Sequence, residues 1–218
     1  MAARHDVALP SAAEEAALAA LGYERIAGVD EAGRGAWAGP VVAGAVILPP
    51  LDAGIPRALD GVRDSKLAPP DERAELFAAI VGCARAVGVG AVAADELDLL
   101  GLTRAGELAM ARAVGALGLA PDHLLLDAFR IPALDLPQRA IVHGDLLCVS
   151  IAAASIVAKV VRDGWLGELH ARYPAYDLAR HKGYGVVAHR RALQLHGPSP
   201  LHRRSYAPLV RLAAGETL

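Results

Sequence analysis

Acidic residues stand at or just beyond the ends of three apolar segments whose composition predicts β-strands. These acids are Asp30 and Glu31 on the first segment, Asp127 on the second and Asp145 after the third. Strand ends are where ligands bind in open α/β sheets, and clustered like charges repel one another unless a cation lies between them. Oxygen ligands without His or Cys at metal-binding spacing favour Mg²⁺ or Mn²⁺ over zinc. Carboxylates that hold two such ions suit phosphodiester hydrolysis.

The neighbouring acids Asp30 and Glu31 pose a geometric problem, because consecutive side chains of a strand point to opposite faces. Both can serve one site only if the backbone swings at Glu31, and the following Gly33 and Gly35 permit such a swing. An isolated Asp-Glu pair would indicate a solvated turn, but the acids on the other strands favour a site. The sequence leaves open whether His143, two residues before Asp145, shuttles a proton or is structural.

The elements that must position these acids follow from hydrophobic spacing and from start and stop signals. Strands are predicted at residues 25–31, 39–48, 87–93, 123–127 and 139–143. Helices are predicted at residues 11–21, 70–86, 95–117, 146–172 and 186–196. Ser11 is the expected N-cap of the first helix, and Glu14 completes a capping box. Three early strands, the second antiparallel to the first, precede strands that alternate with helices, which predicts an α/β domain with a mixed sheet.

The 218 residues suffice for one sizeable core, and we expect a single domain over residues 1–218. Hydrophobic residues make up 54% but aromatic residues only 4%, so the core must consist of Ala, Val, Leu and Ile. The net charge of −2 is unevenly distributed, because residues 178–215 hold seven Lys or Arg and no acid. Such a run is either a solvated face or a surface that holds phosphate near the acids.

Neither a membrane nor an oxidising compartment is indicated. The uncharged stretch at residues 35–51 contains Pro and Gly and favours a buried strand, and no secretory signal is visible, so we expect a cytoplasmic monomer. Cys83 and Cys148 are far apart in sequence. They predict small buried side chains, not a disulfide or a thiolate metal site.

Several short motifs resemble those of bacterial ribonuclease HII over about residues 25–209. They are GVDEAGRG at 28–35, GPVV at 39–42, DSK at 64–66, LLD at 125–127, GD at 144–145, AAASI at 152–156, AK at 158–159, RD at 162–163, HKGYG at 181–185 and HRRS at 202–205. Each motif alone is weak evidence. Their order and spacing together are highly specific.

The resemblance implies a ribonuclease H-like mixed sheet flanked by helices, with a basic and helical C-terminal part at about residues 178–215. It implies a metal-dependent ribonuclease of type HII that acts on RNA/DNA hybrids and cuts 5′ of ribonucleotides embedded in duplex DNA. The implied catalytic and metal-binding quartet is Asp30, Glu31, Asp127 and Asp145.

The resemblance also implies contacts with the substrate. Gly33, Arg34 and Gly35 are expected to contact the ribonucleotide and its 2′-hydroxyl, since glycine amides can approach a backbone closely. Tyr184 is expected to pack against the sugar of the next deoxynucleotide. The basic run at residues 178–215, a separate observation, leads us to expect that Lys182, Arg203 and Arg204 bind substrate.

Some positions depart from the family pattern or lack an assigned role. Ala128-Phe129 follows Asp127 where Gly-Asn or a similar pair is usual, His143 replaces a common Lys, and Leu67-Ala68 replaces Lys-Leu. None of these changes removes a carboxylate. The sequence leaves open whether Asp163 is an outer group of the metal site or an ion-pair partner on its helix. The role of Asp64, Ser65 and Lys66 is also open.

Two other classes of protein must be weighed. A nucleotide-binding protein would use the Gly-rich turn as a phosphate loop, but this turn lacks the Walker Lys-Ser/Thr ending and a clear following helix. A non-catalytic nucleic-acid-binding module would use the basic C-terminal part alone, and the acids at the strand ends would have no purpose. Type HIII relatives carry an extra N-terminal domain, for which the segment before residue 25 has no room. A replication-clamp partner cannot be read from the sequence.

Overall fold

The computed structural model describes residues 9–51 and 54–218, so the predicted domain at 1–218 includes residues 1–8 and 52–53, which lie outside the described part. The strands are β1 (Ile26–Ala32), β2 (Val41–Ile47), β3 (Ala86–Val92), β4 (His123–Asp127) and β5 (Gln138–Ile141). The helices are α1 (Ala13–Ala20), α2 (Pro70–Cys83), α3 (Ala94–Leu100), α4 (Leu102–Gly115), α5 (Gly144–Leu147), α6 (Val149–Arg172), α7 (Leu178–His181), α8 (Val187–His196) and α9 (Ala207–Ala213). Short 3₁₀ turns span Arg57–Leu59 and Pro174–Tyr176.

The five strands form one sheet in the order β3-β2-β1-β4-β5. Strand β2 is antiparallel to both β1 and β3, whereas β1, β4 and β5 are parallel to one another. The predicted mixed sheet, flanked by helices and followed by a helical C-terminal region, is confirmed. Because β1, β4 and β5 are parallel, their carboxyl ends meet at one edge of the sheet. Asp30, Glu31 and Asp127 lie at or near those ends, and Asp145 follows β5.

Two helices cover the faces of the sheet at very short range. A Cβ atom on Gly28 of β1 would lie 2.1 Å from the backbone of Ser150 in α6, and one on Gly88 of β3 would lie 2.1 Å from the carbonyl oxygen of Ala113 in α4. The side chains of Ala27 and Val29 instead join the buried cluster on the α4 face. The low aromatic content therefore matches a core in which small residues let helix and sheet backbones approach closely.

Several predicted boundaries differ from the structure for local reasons. The predicted helix at 95–117 is divided by Gly101 at φ 77°, and the one at 146–172 is divided at Cys148, whose backbone is extended at φ −115° and ψ 126°. The predicted N-cap is wrong, because helix α1 is capped at Ala12 and Ser11 forms a β-bridge with Cys148. The capping box is also wrong, since Glu14 pairs with Arg139 across 2.5 Å.

The two cysteines and the membrane prediction can also be checked. Both cysteines are free thiols, Cys148 fully buried as predicted and Cys83 only partly buried. Among the helices of the described residues, none is long and apolar enough to cross a membrane.

Candidate active site

Three carboxylates converge at the edge where the parallel strands end. Asp30 lies at the end of β1, Asp127 at the end of β4, and Asp145 in the first turn of α5; one oxygen of each lies within 4.8 Å of the others. Asp30 and Asp145 are buried and Asp127 is half-buried. A left-handed residue, His143 at φ 57°, turns the chain so that the Gly144 amide donates to Asp127 Oδ1 at 2.8 Å. In the structure His143 therefore shapes the turn that holds a carboxylate.

Burial and repulsion from neighbouring acids make Asp30 and Asp127 hold protons more tightly than ordinary carboxyl groups do. Burial, followed by the charges of Glu31, Asp127 and Asp145, raises the pKa of Asp30 well above its ordinary value. Burial, reinforced by Asp145, also raises the pKa of Asp127. Such a cluster is stabilised by added positive charge. Its oxygen-only donors and its mutual distances fit a divalent cation of the Mg²⁺ or Mn²⁺ kind.

Lys66 supplies part of that positive charge. Its Nζ lies 3.3 Å from an oxygen of Asp64 and 3.3 Å from one of Asp145. Burial alone would lower the pKa of Lys66, but Asp64 and Asp145 outweigh it, and the pKa lies above its ordinary value. The neighbouring Ser65 hydroxyl donates to or accepts from Ser155 of α6 at 3.0 Å. The segment at residues 64–66, whose role the sequence left open, thus borders the carboxylate cluster.

Glu31 is placed differently from the other predicted acids. Strand β1 continues past it to Ala32, which pairs with Val42, so the expected swing of the backbone at Glu31 is wrong. Its carboxylate lies outside the group of three close oxygens and instead is 3.4 Å from the Arg34 guanidinium. Among the described residues, its Oε2 is buried without a hydrogen-bond partner. Burial raises the pKa of Glu31 to about 7; Arg34 opposes this shift and Asp127 adds to it.

Two buried arginines hold the glycine turn that follows Glu31. A Cβ atom on Gly33, at φ 91°, would lie 2.0 Å from Nε of Arg162, so only glycine fits there. Arg162 is fully buried and donates to the carbonyl oxygens of Pro40, Ala38 and Lys182 at 2.9, 3.1 and 3.1 Å. Sequence reasoning missed Arg162. The signal was a charge on the apolar face of α6, between Ala158 and Leu166 at spacings of four.

Arg203 is the second buried arginine, and its predicted contact with substrate must be corrected. Its exposed fraction is 0%, and its guanidinium donates to the carbonyl oxygens of Gly39 at 2.9 and 3.0 Å and of Arg34 at 2.8 Å, and to the Tyr206 hydroxyl. Every guanidinium nitrogen is thus engaged by the protein. In this structure Arg203 positions the glycine turn and does not face a ligand.

Tyr184 lies beside the glycine turn. Its exposed fraction is 39%, and a ring carbon lies 3.8 Å from the position that a Cβ atom of Gly35 would occupy. Lys182, two residues earlier, donates to the carbonyl oxygen of Asp163 at 3.2 Å. Arg204 has an exposed side chain, and its backbone amide donates to Asp98. The structure therefore brings Gly35 and Tyr184 together, while the roles of Lys182 and Arg204 stay predictions.

The residues that depart from the family pattern also have a structural setting. The Arg34 guanidinium carbon lies 4.7 Å from the centre of the Phe129 ring, whose side chain is largely exposed. Ala128 adopts the left-handed conformation at φ 56°, which is unfavourable for any residue with a Cβ atom. Asp163 pairs with Lys159 at 2.7 Å and with Arg73 at 3.2 Å. Of its two possible roles, the structure shows the ion pair.

The mixed sheet gathers carboxylates at the ends of its parallel strands, beside a glycine turn and an exposed tyrosine. This arrangement is that of nucleases with a ribonuclease H-like fold. The family model described as Ribonuclease HII matches residues 27–209. The chain belongs to the ribonuclease HII family and is a ribonuclease H enzyme. This membership removes the two alternative classes of protein that the sequence left open.

Individual relatives agree with this assignment. Ribonuclease HII of Roseiflexus castenholzii is 50% identical, over 94% of this chain and 91% of the relative. Ribonuclease HII of Dehalococcoides mccartyi is 52% identical, over 92% of this chain and 94% of the relative. Among solved structures, ribonuclease H2 from Pyrococcus horikoshii has a TM-score of 0.73 at 25% identity, covering 88% of this chain and 98% of that one. The ribonuclease HII complex with PCNA from Archaeoglobus fulgidus has a TM-score of 0.68 at 26% identity, covering 82% and 92%.

Proposed function

We propose that this enzyme cuts the RNA strand of RNA/DNA hybrids and cuts on the 5′ side of a ribonucleotide embedded in duplex DNA, leaving a 3′-hydroxyl and a 5′-phosphate. The observation that carries the proposal is the contact distance between Gly35 and Tyr184 beside the carboxylates. The two residues can touch neighbouring nucleotides of one strand. Their preferences for the sugar are opposite.

The carboxylates of Asp30, Glu31, Asp127 and Asp145 are proposed to hold two divalent cations, Mg²⁺ or Mn²⁺. When bound, such cations supply Lewis-acid chemistry to phosphodiester hydrolysis, in which a water attacks in line and the 3′-oxygen departs. The Gly144 amide keeps Asp127 oriented through its hydrogen bond to Oδ1. Lys66, between Asp64 and Asp145, limits the repulsion within the cluster.

Recognition of a junction follows from the two opposed sugar preferences. Backbone amides of Gly33 and Gly35, with Arg34, can bind a 2′-hydroxyl only where one exists. The flat ring of Tyr184 tolerates deoxyribose and is crowded by an added hydroxyl. Two such preferences on successive nucleotides define the step from a ribonucleotide to the deoxynucleotide that follows it.

Phosphate binding is proposed for the basic residues Lys182, which is partly exposed and two residues before Tyr184, and Arg204, which is exposed. The enzyme is proposed to act as a cytoplasmic monomer. Because the Archaeoglobus relative is described in a complex with PCNA, a sliding-clamp partner is proposed here as well.

The test compares two substrates: a DNA duplex with one ribonucleotide and a long RNA/DNA hybrid, each with Mg²⁺ or Mn²⁺. We expect cleavage of both, with the cut in the first mapped to the 5′ side of the ribonucleotide. Tyr184→Ala should reduce cleavage at the single ribonucleotide much more than cleavage of the long hybrid, where the next sugar always carries a 2′-hydroxyl. Equal losses on the two substrates would show that Tyr184 supports its loop only. A wild type that leaves single ribonucleotides uncut would overturn junction recognition.

A further inference from the structure

Two buried histidines lie behind Tyr184, and the proposed chemistry does not use them. His189 of α8 has an exposed fraction of 0% and His202 of 2%. Their Nε2 atoms are 2.9 Å apart, and Nδ1 of His189 lies 3.0 Å from the carbonyl oxygen of Tyr184. Two imidazole nitrogens at this distance must be one donor and one acceptor.

The hydrogen bonds around the pair determine which nitrogen carries each proton. The backbone amide of Ser199 donates to Nδ1 of His202 at 3.0 Å, so this nitrogen is an acceptor. A neutral His202 then carries its proton on Nε2 and donates to His189. Nε2 of His189 is therefore the acceptor, its proton lies on Nδ1, and Nδ1 donates to the Tyr184 carbonyl. The hydrogen bonds run in one direction, from Ser199 to Tyr184.

The surroundings keep both rings neutral. Burial lowers the pKa of each histidine to about 4. The titratable groups that face them are the neutral ring of His181, stacked 4.5 Å from His189, the ring of Tyr176, 4.8 Å from that of His202, and the positive charge of Arg204. Trp37 lies against His189. A proton on either ring would place two N–H groups face to face.

The next residue of the chain connects this pair to the glycine turn. Arg203 donates to the carbonyl oxygen of Arg34, at the centre of the turn, and its amide donates to Trp37. Trp37 in turn donates its amide to the carbonyl oxygen of Gly183, next to Tyr184. Adjacent residues, His202 and Arg203, thus hold the two halves of the proposed junction site at a set spacing.

We propose that Ser199 and His202, through a one-way hydrogen-bond relay, keep the proton of His189 on Nδ1, and that this donor positions Tyr184 relative to the glycine turn and so sets the enzyme's discrimination between single ribonucleotides and long hybrids. This inference rests on the proposed junction recognition. His189 and His202 are positioning residues, since neither faces the substrate. A displacement of Tyr184 by about 1 Å is enough to reduce a reaction that depends on its contact.

The test uses two substitutions that each keep one half of the His189 contacts. In His189→Asn, the amide nitrogen occupies the place of Nδ1 and still donates to Tyr184, but the contact with His202 is lost. In His189→Gln, the amide oxygen occupies the place of Nε2 and still accepts from His202, but Tyr184 loses its donor. Because each variant loses one buried hydrogen bond, we expect similar falls in thermal midpoint. Only His189→Gln should lower the rate of cleavage at the single ribonucleotide relative to the long hybrid, by about 10-fold, with long-hybrid cleavage retained.

Two results would overturn the relay. One is a ratio of single-ribonucleotide to long-hybrid cleavage that falls equally in both variants, or that falls in neither variant. The hydrogen-bond donor to Tyr184 would then be irrelevant. The other is a wild-type ¹⁵N NMR spectrum at pH 7 that shows a charged imidazole, or a proton on Nδ1 of His202 or on Nε2 of His189. If the histidines are protonated differently but the enzyme cuts single ribonucleotides, only the relay is overturned. A wild type that leaves single ribonucleotides uncut overturns the proposed junction recognition itself.

Discussion

At the scale of single residues, Asp30 and Asp163 differ in whether other side chains of the protein neutralise their charge. Asp30 has an exposed fraction of 3% and accepts a 2.7 Å hydrogen bond from the Glu31 amide. Its charge is desolvated and faces three other acids. Asp163, which belongs to a matching motif, is instead compensated by Lys159 and Arg73. Neutralising these two aspartates should therefore have opposite consequences.

Asp30→Asn should abolish cleavage and stabilise the metal-free fold. We expect activity to fall by more than about 100-fold, since even outer partners of metal ligands contribute about 10- to 100-fold. Relief of repulsion should raise the thermal midpoint without metal by about 2–4 °C, equivalent to roughly 1 kcal/mol. The control Asp163→Asn should retain cleavage and lower the midpoint. Near wild-type cleavage by Asp30→Asn at any metal concentration would contradict the two-metal proposal.

Glu31 should make the stability of the metal-free enzyme depend on pH. The pKa of its carboxyl is about 7 in the folded protein. Because this lies above the ordinary value near 4.5, the folded state binds the proton more tightly than the unfolded chain. Its contribution to the free energy of unfolding is therefore complete below about pH 4.5 and is lost as the pH rises through about 7. The pKa of Asp30 is shifted in the same direction, above its ordinary value.

We accordingly expect the contribution of Glu31 to the thermal midpoint of the metal-free enzyme to be lost between about pH 4.5 and 7. His189 and His202, whose pKa in the folded protein is lowered to about 4, act in the opposite direction over part of this window, so the measurement compares wild type with Glu31→Gln. The stabilisation by added Mn²⁺ should grow over the same window, because binding then requires no proton release. Glu31→Gln should lack this loss. A difference in midpoint between wild type and Glu31→Gln that does not change with pH would show that Glu31 is ionised throughout.

At the scale of secondary-structure elements, α6 joins the active site to the sheet. It lies against glycines in β1 and β2, contributes Ser155 beside Asp30, and carries Arg162 to the glycine turn. Helix α6 can lie this close to the sheet because the facing glycines have no Cβ atom. A Cβ atom on Gly44 of β2 would lie 2.5 Å from the carbonyl oxygen of Ala154.

Gly28→Ala should destabilise the enzyme, because the new Cβ atom would meet the Ser150 backbone at 2.1 Å and α6 would have to move. Overpacking of this kind costs about 1–3 kcal/mol or more, and we expect the midpoint in thermal denaturation to fall by several degrees. The matched control is Gly164→Ala in α6 itself, where no atom lies within 4 Å. It should stabilise the helix by roughly 0.5–1 kcal/mol. A neutral Gly28→Ala would mean that α6 is free to shift on the sheet.

The sequence predicted the type of these elements better than their ends. All five strands and their approximate positions follow from apolar runs bounded by turn residues, a local signal. The break at Cys148 has no such signal, because its extended backbone depends on the bridge to Ser11, 137 residues earlier. Ser11 and Glu14 match a capping box in sequence, but tertiary partners, Cys148 and Arg139, engage them instead.

At the scale of the whole molecule, the basic C-terminal part divides into buried and exposed charges. Arg203 is buried and engaged by carbonyl oxygens, whereas Arg180, Arg190, Arg191 and Arg204 are exposed. A charge count along the sequence treats all of them alike, which is why Arg203 was assigned to substrate. The carboxylate cluster was predictable because acids at strand ends are visible locally. The position of Glu31 outside the three close carboxylates was not predictable, since it depends on how far β1 pairs with β2.

Replacing Lys182 and Arg204 together by Ala should weaken substrate binding and flatten its dependence on salt. Each lost phosphate contact should lower the slope of log affinity against log salt by about 0.9, so we expect a change of roughly two units or slightly less. Binding titrations at several salt concentrations, without metal, measure the slope. Arg57→Ala, an exposed arginine of the first 3₁₀ turn, serves as control and should leave it unchanged. An unaltered slope in the double variant would place phosphate binding elsewhere.

The parallel pairing of β1 with β4 also bears on how the chain is made. Ile26 pairs with His123, 97 residues later, so one edge of β1 has no partner until β4 is synthesised. At ribosomal rates this interval lasts about 5–20 s. An unpaired edge invites pairing with other nascent chains, and charged side chains on an edge discourage it. Asp30 and Glu31 follow the residues of β1 that pair with β4, so we expect their charges, besides the catalytic role proposed for them, to discourage such pairing in the unfinished chain.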